Sequence, residues 1–209
     1  MPTPAKNEDL HGNVPDKAHA ALILIDIIND FEFEGGEELI RYAEPAARNI
    51  SRLVERARKA RIPVIYVNDN FGKWQSDFKK LVEHCLSEEV RGRGVVEMLK
   101  PREEDYFVLK PKHSGFYSTT LDTLLSYLKV RALILAGVAG NICVLFTAND
   151  AFLRDYHLII PSDCVASNRP EDNEYALQQM KQVLKADITP SDELDLEKLN
   201  SEDFTPENT

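Results

Sequence analysis

Short, almost uninterrupted aliphatic runs, set between stretches of helical spacing, constrain this chain more than any other feature. Four of them, Ala21–Ile25, Pro63–Val67, Leu133–Ala136 and His157–Ile160, are apolar at consecutive rather than alternate positions. A strand reads this way when both of its faces are buried. Tyr106–Leu109 is a weaker fifth strand, and Ala186–Thr189 is expected to add a sixth at the edge. Between them, Ala46–Ala60, Leu121–Leu128, Cys143–Asp155 and Asn173–Leu184 carry apolar residues at helical spacing. Strand and helix alternate, which predicts an α/β, three-layer Rossmann-like fold: a mostly parallel six-stranded sheet flanked by helices.

One core accounts for the length. With 209 residues, 43% of them hydrophobic, the chain suits a single large domain better than two small ones. Residues 1–18 are expected as an N-terminal tail and 19–190 as the domain. Residues 191–209 are acidic and nearly free of large apolar side chains apart from Leu194, Leu196, Leu199 and Phe204, so an acidic C-terminal tail or arm is expected there.

Charge narrows the partners. A net charge of −10 and a pI near 5.0 argue against nucleic acid and anionic membranes, which need clustered Lys and Arg. A small-molecule substrate is the expected partner. The longest apolar runs fall far short of the roughly 20 residues of a membrane helix. Met1–Lys17 is polar, with Pro2, Pro4 and Pro15, and lacks the apolar stretch of a secretory signal, so a cytoplasmic location is expected. The three cysteines form no CxxC arrangement and are read as free thiols. The five histidines offer no i, i+4 pair, and neither GxxxxGK[ST] nor GxGxxG occurs, so no metal and no cofactor is expected. A metal held by non-histidine ligands stays open.

In a sheet of this kind ligands collect at the carboxyl ends of the strands. That directs attention to Asp26, Asn68–Asn70, Lys110 and the Gly137–Cys143 turn. Asp26 follows an apolar run directly, and a carboxylate there either caps the next turn or is paired and working. Cys143 stands at the start of a helix after a glycine-containing turn, where unpaired backbone N–H groups and the helix dipole favour a thiolate; the alternative is a small buried hydrophobe. Lys110 ends the weak strand, where a cation would offset a thiolate and a carboxylate. Lys112 is separated from it by Pro111 and is expected to point elsewhere.

These segments resemble one family. Leu24-Ile25-Asp26-Ile27-Ile28-Asn29-Asp30-Phe31 resembles the opening strand and Asp motif of isochorismatase-like cysteine hydrolases. Lys110-Pro111-Lys112-His113-Ser114-Gly115-Phe116 resembles their lysine segment, and Gly137-Val138-Ala139-Gly140-Asn141-Ile142-Cys143-Val144 their nucleophile turn. Thr147-Ala148-Asn149-Asp150-Ala151 and Asp163 also match, so the likeness spans roughly Ala20 to Thr189.

The resemblance implies a catalytic set of Asp26 as acid and base, Lys110 as electrostatic partner and Cys143 as attacking thiolate. It further implies a cis peptide between Val138 and Ala139, and an oxyanion hole made by the N–H groups of Ala139 and Cys143. The implied activity is hydrolysis of a carbon–nitrogen bond in a small amide through a thioester. The alternatives are vinyl ether cleavage of the isochorismatase type and a non-catalytic, metabolite-binding member. Ile28 stands where many relatives carry Gln, and Asn68–Trp74 lacks the Asp-x-His of the metal-containing nicotinamidases. Phe31, Asn70, Trp74, Phe116 and Tyr117 are candidate pocket walls. Apolar residues around Phe146, Phe152 and Leu153 make a homo-oligomer the expected assembly, as is common in the family.

Overall fold

The structure, a computed structural model, describes residues 18–70, 77–87, 89–201 and 204. Six strands alternate with seven α-helices among these residues: β1 (Ala20–Ile25), α1 (Gly36–Lys59), β2 (Val64–Asp69), α2 (Phe78–Cys85), α3 (Arg93–Met98), β3 (Tyr106–Lys110), α4 (Leu121–Leu128), β4 (Ala132–Val138), α5 (Leu145–Phe152), β5 (His157–Ile159), β6 (Val165–Ala166), α6 (Pro170–Val183) and α7 (Leu196–Leu199). A π-helical turn, Gly140–Val144, leads into α5. The strands form one sheet in the order β3-β2-β1-β4-β5, with β6 also on β4, and every pairing is parallel.

The consecutive apolar runs have a simple cause: each face of the sheet has its own core. Ala20, Leu22 and Leu24 of β1 pack with Ala132, Ile134 and Ala136 of β4 beneath α1. Ala21, Ile23 and Ile25 pack with Leu133 and Leu135 against α4, α5 and α6. All six residues of β1 and all seven of β4 are buried. Full burial of such a side chain stabilises the fold by about 1.5–3 kcal/mol, and a polar substitution on either face loses it.

Helix α1 buries Leu39, Ile40, Ala43, Ala46, Ala47, Ile50, Leu53, Val54 and Ala57, a stripe at intervals of three and four residues. It begins ten residues before the expected Ala46, because Pro45 lies inside it. Proline normally marks a helix boundary, yet here the apolar stripe runs through it and burial outweighs the one missing backbone bond. Helix α6 starts on Pro170 at its first turn, where a missing N–H costs nothing.

Two expectations are corrected. Ala186–Thr189 is not the sixth strand; it makes one isolated bridge, Ile159↔Asp187. The sixth strand is Val165–Ala166, paired with Gly137 and Val138. The segment from Ser191 to Ser201, expected within an arm or tail, lies against the domain. The Arg56 guanidinium donates to the carbonyls of Ser191 and Leu194, Leu194 and Leu196 join the core under α1, and Asn200 accepts from the backbone N–H of His19 (2.9 Å). Acidic side chains point outward while Leu194, Leu196 and Leu199 hold the segment down. None of the described helices is long and apolar enough to cross a membrane.

Candidate active site

The chain runs outward from β1 through β2 to β3, then crosses back so that β4 lies on the other side of β1. Such a reversal of strand order opens a crevice at the carboxyl ends of the strands. Asp26 directly follows β1 with φ 48°, in the left-handed region that Asp tolerates better than most residues. Asp69 and Lys110 are the last residues of β2 and β3, paired with each other in register. Cys143 lies in the π-helical turn after β4.

Two glycines allow that turn. Gly137 has φ 124°, and a Cβ there would lie 2.0 Å from the Ile25 carbonyl oxygen on the neighbouring strand. At Gly140 a Cβ would lie 2.3 Å from Asn173 Oδ1. The Val138–Ala139 peptide is cis. The turn is pinned from β6 and α6: Asn141 N donates to Ser167 Oγ (3.1 Å), and that hydroxyl donates to Asn173 Oδ1 (3.0 Å).

A second brace joins the lysine segment to the start of α5. Thr147 Oγ1 accepts from Gly115 N (3.0 Å) and donates to the Cys143 carbonyl (2.7 Å). The Ser114 hydroxyl donates to the Asp150 carboxylate. Thr147 is fully buried, so its two bonds have no water to replace them. Together these contacts set the distance between Lys110 and Cys143.

The three residues meet around the ammonium group. Lys110 Nζ lies 2.8 Å from Asp26 Oδ2, 3.5 Å from Asp69 Oδ2, 3.1 Å from the Lys112 carbonyl and 3.5 Å from Cys143 Sγ. The other oxygen of Asp26 accepts from Asp69 N (2.7 Å), and Asp26 and the Cys143 thiol are near enough to shift each other's protonation. The Lys110 side chain is 0% exposed and that of Asp26 9%. Burial of either charge alone would cost several kcal/mol, so each is tolerable only beside the other. Lys112 is exposed and turns away, only its carbonyl meeting Lys110.

Protonation follows from this packing. Burial pushes the Asp26 carboxyl above the usual carboxylate range, against the pull of Lys110 and the hydrogen bonds from Cys143, Lys110 and Asp69. Burial opposes the Lys110 charge, but Asp26, the sulfur and Asp69 outweigh it and hold the ammonium protonated above its ordinary range. The Cys143 thiol is pushed up to about 12 by burial and by Asp26, with Lys110 opposing. At rest the sulfur therefore keeps its proton beside a fixed positive charge. Such a set can release a thiolate by passing one proton to the carboxylate, a coupled event belonging to the pair.

The residues expected as pocket walls disperse. Phe31 is fully buried in the core under α1, and Phe116 is packed in the opposite core beneath the Arg154 guanidinium (4.7 Å from its ring centre). Both are held by apolar neighbours that a loop reading of the sequence does not reveal. Asn70 is buried, its backbone N donating to the Lys110 carbonyl (3.0 Å), while Tyr117 is exposed. Trp74 lies outside the described residues. Among those described, no three His, Cys, Asp or Glu side chains gather as a metal cluster. Asp69 belongs to the site, and sequence reasoning placed it at a strand end without a role. A separate cleft of about 370 Å³ lies between α1 and α6, lined by Asn49, Asp163, Ser167, Asn173 and Leu177 among others.

Comparison with known proteins bears on this geometry. The sequence profile of the Isochorismatase domain matches residues 20–193. The chain is 49% identical over 178 residues to the uncharacterised isochorismatase family protein YaaI of Bacillus subtilis, covering 85% of this chain and 97% of that one. It is 30% identical over 178 residues to the ureidoacrylate amidohydrolase RutB of an Enterobacter species, covering 73% and 77%. The crystal structure of N-carbamoylsarcosine amidase from Thermoplasma acidophilum superposes with a TM-score of 0.65 at 27% identity, covering 84% of this chain and 98% of that one. The profile takes in the sheet, the Asp26–Lys110–Cys143 cluster and the turn after β4, and on that ground the chain belongs to the isochorismatase family of hydrolases.

Proposed function

We propose that this hydrolase is a cysteine-dependent amidase that cleaves a small amide through a thioester on Cys143. The observation that carries the reading is one thiol set beside a buried ammonium that is itself paired with a carboxylate at the sheet's switch point. Asp26 takes the thiol proton as the sulfur attacks the substrate carbonyl, and Lys110 offsets the anion on either side of that transfer. The N–H groups of Ala139 and Cys143 receive the developing oxyanion. Asp26 then protonates the departing nitrogen, the C–N bond breaks, and water activated by the same carboxylate hydrolyses the thioester to a carboxylic acid.

Relatives whose names specify amidase and amidohydrolase activity support the amide class. The direct test is ammonia release from a panel of small amides that includes N-carbamoyl and ureido compounds. Turnover of at least one member, lost in Cys143→Ala, is the expected result; full turnover in that variant overturns the reading.

The same reading extends to assembly as a homo-oligomer. Phe146, Phe152 and Leu153, at 52%, 41% and 75% exposure, are more apolar surface than α5 and its end need in a monomer. Sedimentation at micromolar concentration showing only a 23.7 kDa species would refute it.

A further inference from the structure

The contacts of the Cys143 sulfur have a buried side and an open side. On the buried side stand Asp26 and Lys110. On the open side stands His113, exposed, with Nδ1 3.9 Å from Sγ. Its position follows from the lysine segment: the Lys112 carbonyl accepts from Lys110 Nζ, which folds residues 110–113 back over the ammonium and carries the next side chain to the sulfur. The imidazole leans on the Phe146 ring (centroids 5.4 Å apart, 59° between planes), so one side of it is supported by α5, the helix whose start carries the thiol. Ser114, the next residue, is tied to Asp150 of the same helix.

We propose that His113 is a further acid–base residue of this site, which holds the Cys143 thiolate from the solvent side. The inference rests on Cys143 being the nucleophile. The two buried partners leave a gap that the imidazole fills. Asp26 already accepts from Asp69 N and Lys110, and Lys110 divides three donors among Asp26, Asp69, the Lys112 carbonyl and the sulfur. Neither can follow the sulfur when it moves toward an incoming carbonyl.

An exposed ring can follow it, and contacts of this length commonly tighten when substrate loads. With the proton on Nδ1 the imidazole donates to the sulfur. With Nδ1 bare it takes the thiol proton: the S–H bond breaks, an N–H bond forms, and the sulfur keeps the electron pair. In the first case Asp26 takes the thiol proton and in the second the imidazole does, and either way a thiolate is left facing an N–H group. Among the described residues, the charged groups on the elements that meet at the sulfur are Lys110 and Lys112 from the imidazole's own segment, Asp26 and Asp69 from the ends of β1 and β2, and Asp150 from α5.

Alkylation of the full chain by iodoacetamide, followed at each cysteine by peptide mapping over about pH 5–8, tests this without knowledge of the substrate. His113→Phe keeps a ring on Phe146 but removes both nitrogens; His113→Gln keeps hydrogen bonding but not titration. The expected result is fastest labelling at Cys143 in the wild type. Labelling of Cys143 should be about tenfold slower at neutral pH in His113→Phe, with its rise displaced to higher pH, because a thiol without the imidazole ionises later. His113→Gln should recover part of the rate and none of the displacement. Wild-type and His113→Phe rates that coincide across the range, with Cys143 still labelled first, overturn the role of His113 alone. Wild-type labelling of Cys143 no faster than of Cys85 and Cys164 overturns the nucleophile itself and this inference with it.

Discussion

Cys143 and Cys164 lie at opposite ends of the same idea. Both thiols are pushed up to about 12, and burial is the largest cause for each. Cys164 sits fully buried under α1 in a core of aliphatic residues, and Cys85, also pushed up to about 12, does the same further along that face. Cys143 is only partly buried, with an ammonium 3.5 Å and an imidazole 3.9 Å from its sulfur, and that ammonium is paired with the Asp26 carboxylate. A raised thiol is thus compatible with two different environments. Cys164 has the Asp163 carboxyl and the Ser191 hydroxyl beside it but no buried ammonium, and Cys85 feels only Asp30, whereas at Cys143 one proton transfer to Asp26 leaves an anion already faced by Lys110. What separates reactive from inert sulfur here is the set of partners, not the height of the resting value.

The comparison breaks most visibly at the sulfur itself. Cys143→Ala should lower ammonia release by at least about 10³-fold, while Cys85→Ala and Cys164→Ala leave kcat unchanged. Equal losses from all three would erase the distinction. Next in size is the removal of the buried partners. Asp26→Asn keeps the shape but takes away the proton acceptor, and should reduce kcat by about 10²–10⁴-fold.

Lys110→Met leaves Asp26 buried without its cation. It should destabilise the fold by about 3–5 kcal/mol in urea unfolding and slow alkylation of Cys143. An unchanged unfolding midpoint would show that the pair is not buried as described.

Smaller effects sharpen the other side of the comparison. Cys85→Ala and Cys164→Ala each remove a sulfur from a packed core and should cost about 1–2 kcal/mol in stability, whereas Cys143→Ala should cost less. The smallest effect concerns the C-terminal segment. The His157 ring packs against Phe204 (5.3 Å), and burial holds its pKa below the ordinary 6.5, against Asp187. A lowered value means that the unfolded chain takes up the proton first. The stability this ring contributes is therefore complete above about 6.5 and is lost as pH falls through the lower folded-state value. The urea midpoint should drift down from about pH 7 to about pH 5, and less so in His157→Phe.

Much of the fold was legible because β1 and β4 are buried on both faces, which leaves an unmistakable continuous apolar run. β6 was not, since two residues carry no periodicity, and the first half of α1 was hidden by Pro45. The strand ends pointed to Asp26, Lys110 and Cys143 because a parallel sheet puts those positions at one edge whatever the loops do. The pocket walls depend on loop paths, which apolar spacing does not fix. Phe31 adopts φ 57° and turns into the core, which no spacing rule anticipates. His113 escaped notice because the backbone turn over Lys110, rather than any sequence interval, brings it to a sulfur thirty positions away.

The central claim is covalent catalysis at Cys143, and acid-quenched turnover of the amide found by screening tests it most directly. Peptide mapping of the quenched protein should find the acyl group on the peptide that contains Cys143, released by hydroxylamine and absent from Cys143→Ala. Turnover at the full rate with no acyl group on that peptide, and with activity retained in Cys143→Ala, would contradict the account.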